Sequence, residues 1–253
     1  MREKIQAELE RLIEEFCRQT GRENIWQKPV IRYGDAHSPL FDQLKELVDP
    51  QHHHPCEYLP GATLVLSYFL PFKEEVGRSN VEGKMISPQW ADVYNYSNEM
   101  APYINDGLCK FIHALGYEAC PPTDIGMIND GFPRSRWSQK HVAYICGHGT
   151  FGVNNMMISD KGCVGRYYSI ITALPFAHDQ VVTEERCLYK KDGSCLQCVE
   201  RCPIGALHAD GFDRLRCLDQ CNINGEKFPG ADACGKCVVG LPCSFGNFGA
   251  AAK

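Results

Sequence analysis

The sequence has no long uninterrupted apolar segment, and this absence excludes several classes of protein. No stretch approaches the roughly 20 apolar residues that a membrane helix requires, so we expect no membrane contact. The N-terminal residues 1–16 are charged and amphipathic, so we do not interpret them as a signal peptide. Positive charge is also scarce: 26 lysines and arginines face 31 aspartates and glutamates, for a net charge of −5. That balance argues against a general nucleic-acid surface.

Cysteine, by contrast, is abundant, with 15 residues in a chain of 253. Because nothing in the sequence indicates export, we expect a cytoplasmic protein in a reducing compartment, where a disulfide framework would not persist. Nine of the 15 cysteines fall between Cys187 and Cys243, which favours metal binding. The other six are scattered singly, as buried core cysteines usually are.

The segment SCLQCVERCPIGALH, residues 194–208, has the cysteine spacing of bacterial ferredoxins. Cys195, Cys198 and Cys202 are followed by Pro203, and in two-cluster ferredoxins the cysteine before the proline binds the other cluster. Zinc ribbons also use Cys-x2-Cys pairs, but the Cys-x3-Cys-Pro step favours iron–sulfur. The segment therefore predicts two 4Fe–4S clusters, and a pair of clusters indicates electron transfer.

Two clusters need eight ligands, and the simplest assignment crosses the chain. The first cysteine set is Cys187, Cys195, Cys198 and Cys243, and the second cysteine set is Cys202, Cys217, Cys234 and Cys237. Asp192 competes with Cys187, because it stands where the ferredoxin run has its first cysteine. Cys221 is the surplus cysteine and competes with Cys217.

Outside the cysteine region, helices and strands alternate, which indicates an α/β domain. Apolar residues at helical spacing predict three helices, in residues 5–16, 98–115 and 137–146. Apolar runs predict strands in residues 62–72, 156–159 and 167–176, the first as a buried central strand and the last two joined by a reversal. The histidine run at residues 52–54 is interpreted as a solvated loop rather than a metal site. Apolar runs end after Thr183, so we place a domain boundary near residue 180.

A glycine-rich stretch, YICGHGTFGVNNMMIS at residues 144–159, joins a helix to a strand. Glycine permits the close approach of a ligand to the backbone. The order of elements argues against a dinucleotide loop, which follows a strand and opens a helix.

Together with the cysteines, this stretch resembles the epoxyqueuosine reductase family and its relatives, the reductive dehalogenases. The similar segments are residues 59–72, residues 146–172 and the cysteine array. The resemblance implies an α/β (α+β) domain of nitroreductase-like or cobalamin-binding type over residues 1–180. It implies a small ferredoxin-like domain with two 4Fe–4S clusters over residues 181–253, and a cobalamin or other corrinoid between the two domains.

The resemblance also suggests residues for the corrinoid pocket, within the segment 147–155 and just beyond it. The candidates are Gly147, Gly149, Thr150, Phe151, Gly152, Asn154 and Arg166. His148 and Asp130 are candidate catalytic acids, if their pKa values lie near the working pH. The alternatives are a hydrogen-bonded packing histidine and an Asp-Gly turn.

The sequence departs from the family pattern in three ways. The family's tRNA-binding repeats follow its clusters, whereas this sequence ends ten residues after Cys243; with the acidic charge, we do not expect tRNA as a partner. The family's catalytic aspartate falls near Pro133. Thr150 and Val153 replace the usual aromatic residue and lysine. We therefore expect a short paralogue with altered chemistry, similar to iron–sulfur proteins of anaerobes.

These patterns predict an iron–sulfur oxidoreductase that passes electrons from a donor such as ferredoxin or flavodoxin, through two clusters, to a corrinoid or small-molecule substrate in a glycine-lined pocket. One alternative is an electron carrier or activator that holds no corrinoid and reduces a partner protein. A structural metal-binding module with no redox role is another.

Overall fold

The computed structural model describes residues 1–246 except Asp124, Asp130 and Gly131, so the candidate acid Asp130 lies outside the described residues. The helices are α1 (Arg2–Thr20), α2 (Leu40–Leu47), α3 (Pro55–Tyr58), α4 (Glu74–Ser79), α5 (Pro88–Ala114), α6 (Gln139–Ile145), α7 (Leu188–Asp192), α8 (Gln197–Glu200) and α9 (Arg214–Lys227). The strands are β1 (Val30–Asp35), β2 (Leu64–Pro71), β3 (Ala119–Cys120), β4 (Met127–Asn129), β5 (Pro133–Ser135), β6 (Gly149–Phe151), β7 (Met157–Ser159) and β8 (Gly165–Thr172). This is the mixed α/β composition that the sequence predicted.

The main sheet has four strands in the order β1-β2-β8-β3. β1 pairs antiparallel with β2, and β3 pairs antiparallel with β8. Every residue of β2 is buried, as expected for a strand with neighbours on both sides and covered faces. The buried central strand predicted from the apolar run is therefore confirmed.

The described chain forms two compact units. The first unit contains Met1–Leu70, Glu99–His148 and Arg166–Val181, and the second contains Pro71–Asn98, Gly149–Gly165 and Val182–Lys253. Because compact units need not fold independently, the domain boundary near residue 180 stays a prediction. Within the described residues, no helix is both long and apolar enough to span a bilayer.

The first unit has an apolar core around Trp137. Its indole ring stacks on Phe41, with centroids 6.1 Å apart, and its Nε1 donates a hydrogen bond of 2.9 Å to the Ser169 hydroxyl. Further buried members of this core include Leu44, Val65, Val142, Ile145 and Ile171. The unit is thus stabilised mainly by removing apolar surface from water.

Three local predictions differ from the structure. Helix α5 begins ten residues earlier than expected, because the Ser87 hydroxyl accepts a hydrogen bond from the Trp90 backbone N–H and Pro88 suits a first helical position. Strand β7 pairs with β6 rather than reversing onto β8. His52 is buried rather than solvated, since its ring stacks on Trp137.

Candidate metal centre

The first cysteine set lines one pocket in the second unit. The pocket encloses about 420 Å³ of empty space, part of it open to solvent, and all four cysteines of the set contribute to its wall. Gly152, Asn154 and Arg186 complete much of the lining. The four thiols come from three separate segments, because Cys187 precedes α7, Cys195 and Cys198 flank the start of α8, and Cys243 follows far along the chain.

The thiols of this set influence one another. Burial, followed by the three other thiols of the set, raises the pKa of Cys198 to about 11. Four sulfurs within electrostatic reach around one pocket are an arrangement suited to a shared metal cluster, because binding metal replaces the thiol protons.

Cys187, rather than Asp192, faces this pocket. The backbone N–H of Cys187 donates a 2.8 Å hydrogen bond to Glu185 Oε1, which fixes the start of α7. Asp192 ends the same helix, is exposed, and accepts a 2.9 Å hydrogen bond from the backbone N–H of Ser194. Hydrogen bonds from the Ser194 side chain and then from its backbone lower the pKa of the Asp192 carboxyl. Asp192 therefore closes a local turn and is not part of the pocket wall.

The second cysteine set is also clustered in the second unit. Burial raises the pKa of Cys237, and the thiols of Cys234, Cys217, Cys202 and also Cys198 of the first set raise it further. Cys217 lies on α9, and Cys221 follows one helical turn later. A hydrogen bond with Cys217, followed by burial, raises the pKa of Cys221. Cys217 and Cys221 both lie within electrostatic reach of Cys234, so Cys221 stays a competitor of Cys217.

Backbone N–H groups point at several of these sulfurs. The N–H of Ala206 donates to Cys202 Sγ at 3.2 Å. The N–H groups of Val199 and Lys236 hydrogen bond to Cys198 and Cys234 respectively. Hydrogen bonds to the sulfurs are one of the ways in which a protein sets the potential of an iron–sulfur cluster.

The described side chains do not form a site for a single metal ion. Among the described residues, no three histidine, cysteine, aspartate or glutamate side chains converge to hold one ion. A structural zinc site needs four donors around a single centre, at about 2.3 Å for sulfur. In a 4Fe–4S cube each thiolate binds a different iron, so its four cysteines lie further apart around a larger volume.

Two cations accompany the second cysteine set. The buried Lys236 donates from Nζ to the carbonyl oxygens of Asn80 and Glu82, at 2.9 and 2.7 Å. Arg201 donates from Nη2 to the carbonyl of Val81 at 2.7 Å. Arg201 precedes Cys202, and Lys236 lies between Cys234 and Cys237. The two side chains therefore connect residues 80–82 to the second cysteine set, and they place positive charge beside its sulfurs.

The glycine-rich stretch packs against the cysteine segments of the second unit. Thr150 Oγ1 donates to Glu185 Oε1 at 2.9 Å and accepts from the Arg186 backbone N–H at 3.0 Å. A Cβ at Gly149 would lie 1.9 Å from the Ile158 carbonyl oxygen and 2.9 Å from Arg186 Nη1. The close approach that requires glycine here is therefore an approach of the protein to itself.

Two more candidates from the stretch have protein partners. Asn154 Nδ2 donates to the Cys237 carbonyl at 2.8 Å. The Phe151 carbonyl accepts from Lys190 Nζ at 2.6 Å. Gly152 is the one glycine of the three candidates that lines the pocket of the first cysteine set.

The remaining candidates belong to the first unit. His148 is buried, and its Nε2 lies 3.1 Å from the Ser67 carbonyl, while its ring meets Tyr167 edge-on. A carbonyl partner fixes the tautomer with the proton on Nε2. Gly147 has a φ of 81° and packs on the Gln180 carbonyl. Arg166 lies 6.0 Å from the Tyr168 ring. These contacts suit a packing role, and the catalytic role of His148 stays a prediction.

Sequence reasoning missed Cys163, Arg186 and Lys236. Arg186 and Lys236 are adjacent to cysteines of the two sets, which is a usable signal for groups near a cluster. Cys163 was counted among the scattered core cysteines, yet its Sγ lies 4.0 Å from Cys243 Sγ.

The fold and the clustered cysteines together define a mixed α/β protein with a cysteine-rich unit. No family model matches the chain, and no curated protein sequence matches it. Several solved structures, however, match the chain. The epoxyqueuosine reductase of Streptococcus thermophilus matches with a TM-score of 0.57 and 19% identity, over 92% of this chain and 65% of that one.

Two further structures agree. The epoxyqueuosine reductase of Bacillus subtilis matches with a TM-score of 0.51 and 18% identity, over 94% of this chain and 66% of that one. An epoxyqueuosine reductase bound to an epoxyqueuosine-modified tRNA-Tyr stem loop matches with a TM-score of 0.53 and 19% identity. The match covers 94% of this chain and 66% of that one. The chain is epoxyqueuosine reductase-like in fold, as the sequence resemblance predicted, and it spans about two thirds of the length of these proteins.

Proposed function

We propose that the chain is an iron–sulfur oxidoreductase that carries two 4Fe–4S clusters, the first bound by the first cysteine set and the second by the second. The observation that supports this most directly is the pocket whose wall contains all four cysteines of the first set, drawn from three segments. Thiolates are the preferred donors for iron–sulfur clusters. We further infer a ferredoxin-like arrangement of residues 181–253, following a nitroreductase-like or cobalamin-binding domain.

The clusters supply one-electron transfer when they are bound. The chain's own residues position the thiolates and tune them. Glu185 and Thr150 hold the segment that bears Cys187. The Ala206 N–H contacts the sulfur of Cys202, and Lys236 places a buried cation beside the second set. Positive charge and N–H donors favour the more negative, reduced form of a cluster.

The electron acceptor is proposed only as a class, a small molecule or a corrinoid. Thr150, Phe151 and Asn154 already bind protein groups, and a Cβ at Gly149 would meet protein atoms. These candidate corrinoid contacts are thus already engaged by protein groups, so no step is assigned to a corrinoid. The expectation that tRNA is not a partner gains no support, because one matched structure is a tRNA complex.

Anaerobic reconstitution with iron and sulfide tests the proposal. We expect two 4Fe–4S clusters per chain, by iron and sulfide analysis and by EPR after reduction. Cys187→Ser should lose the first cluster, whereas Asp192→Ala should keep both. The assignment would be wrong if Cys187→Ser kept two full clusters while Asp192→Ala lost iron. Zinc in place of iron, or clusters that cannot be reduced, would contradict an oxidoreductase.

A second experiment identifies the acceptor class. The reduced protein is mixed with cob(II)alamin and followed by EPR. A change of the cobalt signal to the base-off form would support a corrinoid. An unchanged cobalt signal beside reducible clusters would direct the search to small molecules and to a protein partner.

A further inference from the structure

Cys163 lies against the first cysteine set without being one of its members. It follows the turn after β7, and only 1% of its surface is exposed. Its Sγ lies 4.0 Å from Cys243 Sγ, a distance suited to a thiol–thiolate hydrogen bond rather than to a shared iron site. Cys163 is also absent from the wall of the pocket.

The backbone holds Cys163 in this position. Its N–H donates to the Cys243 carbonyl at 3.0 Å and reaches the Ser244 carbonyl at 3.2 Å. Gly162, just before it, has a φ of 85°, and a Cβ there would lie 2.1 Å from the Ser244 carbonyl oxygen. The two chain segments therefore meet through main-chain contacts, which a change of the Cys163 side chain leaves intact.

The thiol proton of Cys163 has two acceptors within reach. The Val238 carbonyl is 3.9 Å away, but it already accepts a 2.7 Å hydrogen bond from the Ser244 hydroxyl. The other acceptor is the Cys243 sulfur. When that sulfur is a thiolate it is the stronger acceptor, because hydrogen bonds to ionised groups are stronger than neutral ones.

Asn154 lies between the two cysteine sets. Its Nδ2 donates a 2.8 Å hydrogen bond to the Cys237 carbonyl, in the loop of the second set, and it also lines the pocket of the first set.

We propose that Cys163 is a positioning residue whose S–H donates a hydrogen bond to the Cys243 thiolate and thereby raises the reduction potential of the first cluster. The inference rests on the proposed function. Its physical basis is that reduction increases the negative charge on the ligand sulfurs, so a donor stabilises the reduced state more than the oxidised one. Cys163 itself is not proposed to bind iron.

The test is an EPR-monitored redox titration of the reconstituted full chain and its variants. Cys163→Ala should make the first cluster harder to reduce by about tenfold in equilibrium constant, which is 59 mV for a one-electron couple. Cys163→Ser keeps an O–H donor and should stay near the wild-type potential. The potential of the second cluster should shift less than that of the first in Cys163→Ala, which provides an internal comparison. Iron content should be equal in all three proteins.

Several outcomes would overturn the proposal. An unchanged potential in Cys163→Ala, or an equal shift in Cys163→Ser, would show that the donor does not matter. If Cys163→Ala does not assemble the first cluster, Cys163→Val refills the space without a donor; failure of both would mean that the role is structural. Loss of iron from Cys163→Ser would indicate a ligand. Absence of clusters from the wild-type chain would instead refute the proposed function.

Discussion

The two compact units differ in what holds their buried residues together. The first has a core of large apolar side chains around Trp137 and a fully buried strand β2. In the second, buried polar groups such as Asn80, Asn224 and Lys236 hydrogen bond to main-chain carbonyls, and the two cysteine sets lie among them. Under the proposed function, we expect the second unit to depend on its clusters, because ligand binding contributes directly to folding free energy.

Removal of iron should produce the largest difference in stability between the two units. We expect a chelator applied to the oxidised protein to abolish the proteolytic protection of residues 182–246, while residues 1–70 stay protected by their apolar core. Limited proteolysis with mass mapping of the fragments measures both regions in one sample. Equal protection of the second unit with and without iron would remove the contrast between the units.

Replacing the buried lysine should have the next largest effect. Lys236→Met leaves the carbonyls of Asn80 and Glu82 without their donor, and should lower the free energy of unfolding by about 3 kcal/mol, since hydrogen bonds to charged groups contribute ~1.5–3 kcal/mol each. Lys190→Met is the matched control, because Lys190 also donates to a carbonyl but is exposed. The measurement is denaturant unfolding of the reconstituted protein. Equal effects of the two changes would contradict the importance of burial.

His52 is a polar group within the apolar first unit. Its Nε2 accepts from the Ser138 N–H at 3.0 Å, and its Nδ1 lies 2.9 Å from the His53 carbonyl. His52→Ala should lower the free energy of unfolding by about 2 kcal/mol, because it leaves buried polar groups without their hydrogen-bond partner. His53→Ala, at a more exposed position, should cost less. Thermal unfolding of both variants provides the comparison.

The same histidine predicts a pH dependence with a definite sign. Burial lowers the pKa of His52, so the unfolded chain takes up the proton first as the pH falls. The stability it contributes is complete above about pH 6.5 and decreases below that value. His52→Ala should flatten this part of the stability profile. An unchanged slope between wild type and variant would mean that another group is responsible.

The smallest expected effect concerns the glycine-rich stretch. Thr150→Val removes the hydroxyl that hydrogen bonds to Glu185 and to the Arg186 N–H. This change should lower the free energy of unfolding by about 1 kcal/mol. It should also speed the release of iron from the first cluster by a chelator. Thr150→Ser keeps the hydroxyl and should behave like the wild type. If both variants released iron equally fast, the Thr150 hydroxyl would not stabilise the cysteine segment.

The sequence was most informative where chemistry depends on spacing. The ferredoxin-like run and the crossed assignment anticipated four cysteines around one pocket, and the apolar run at residues 62–72 anticipated a central strand. It was least informative where a residue's partner is distant. The sequence predicts Thr150 and Asn154 as ligand contacts, because a glycine-rich stretch does not reveal whether it also meets protein groups such as Arg186 and Cys237. Cys163 has no local signal at all, since only tertiary contact brings it to Cys243.

The crossed assignment of cysteines has a consequence for biosynthesis. The first set needs Cys187 together with Cys243, and the second needs Cys202 together with Cys237. A ribosome makes the chain from its N-terminus, and domains fold in that order. The apolar first unit has all its residues once Val181 is synthesised, but neither cysteine set is complete until some sixty residues later. Under the proposed function, cluster insertion is therefore a late step in the biosynthesis of the chain.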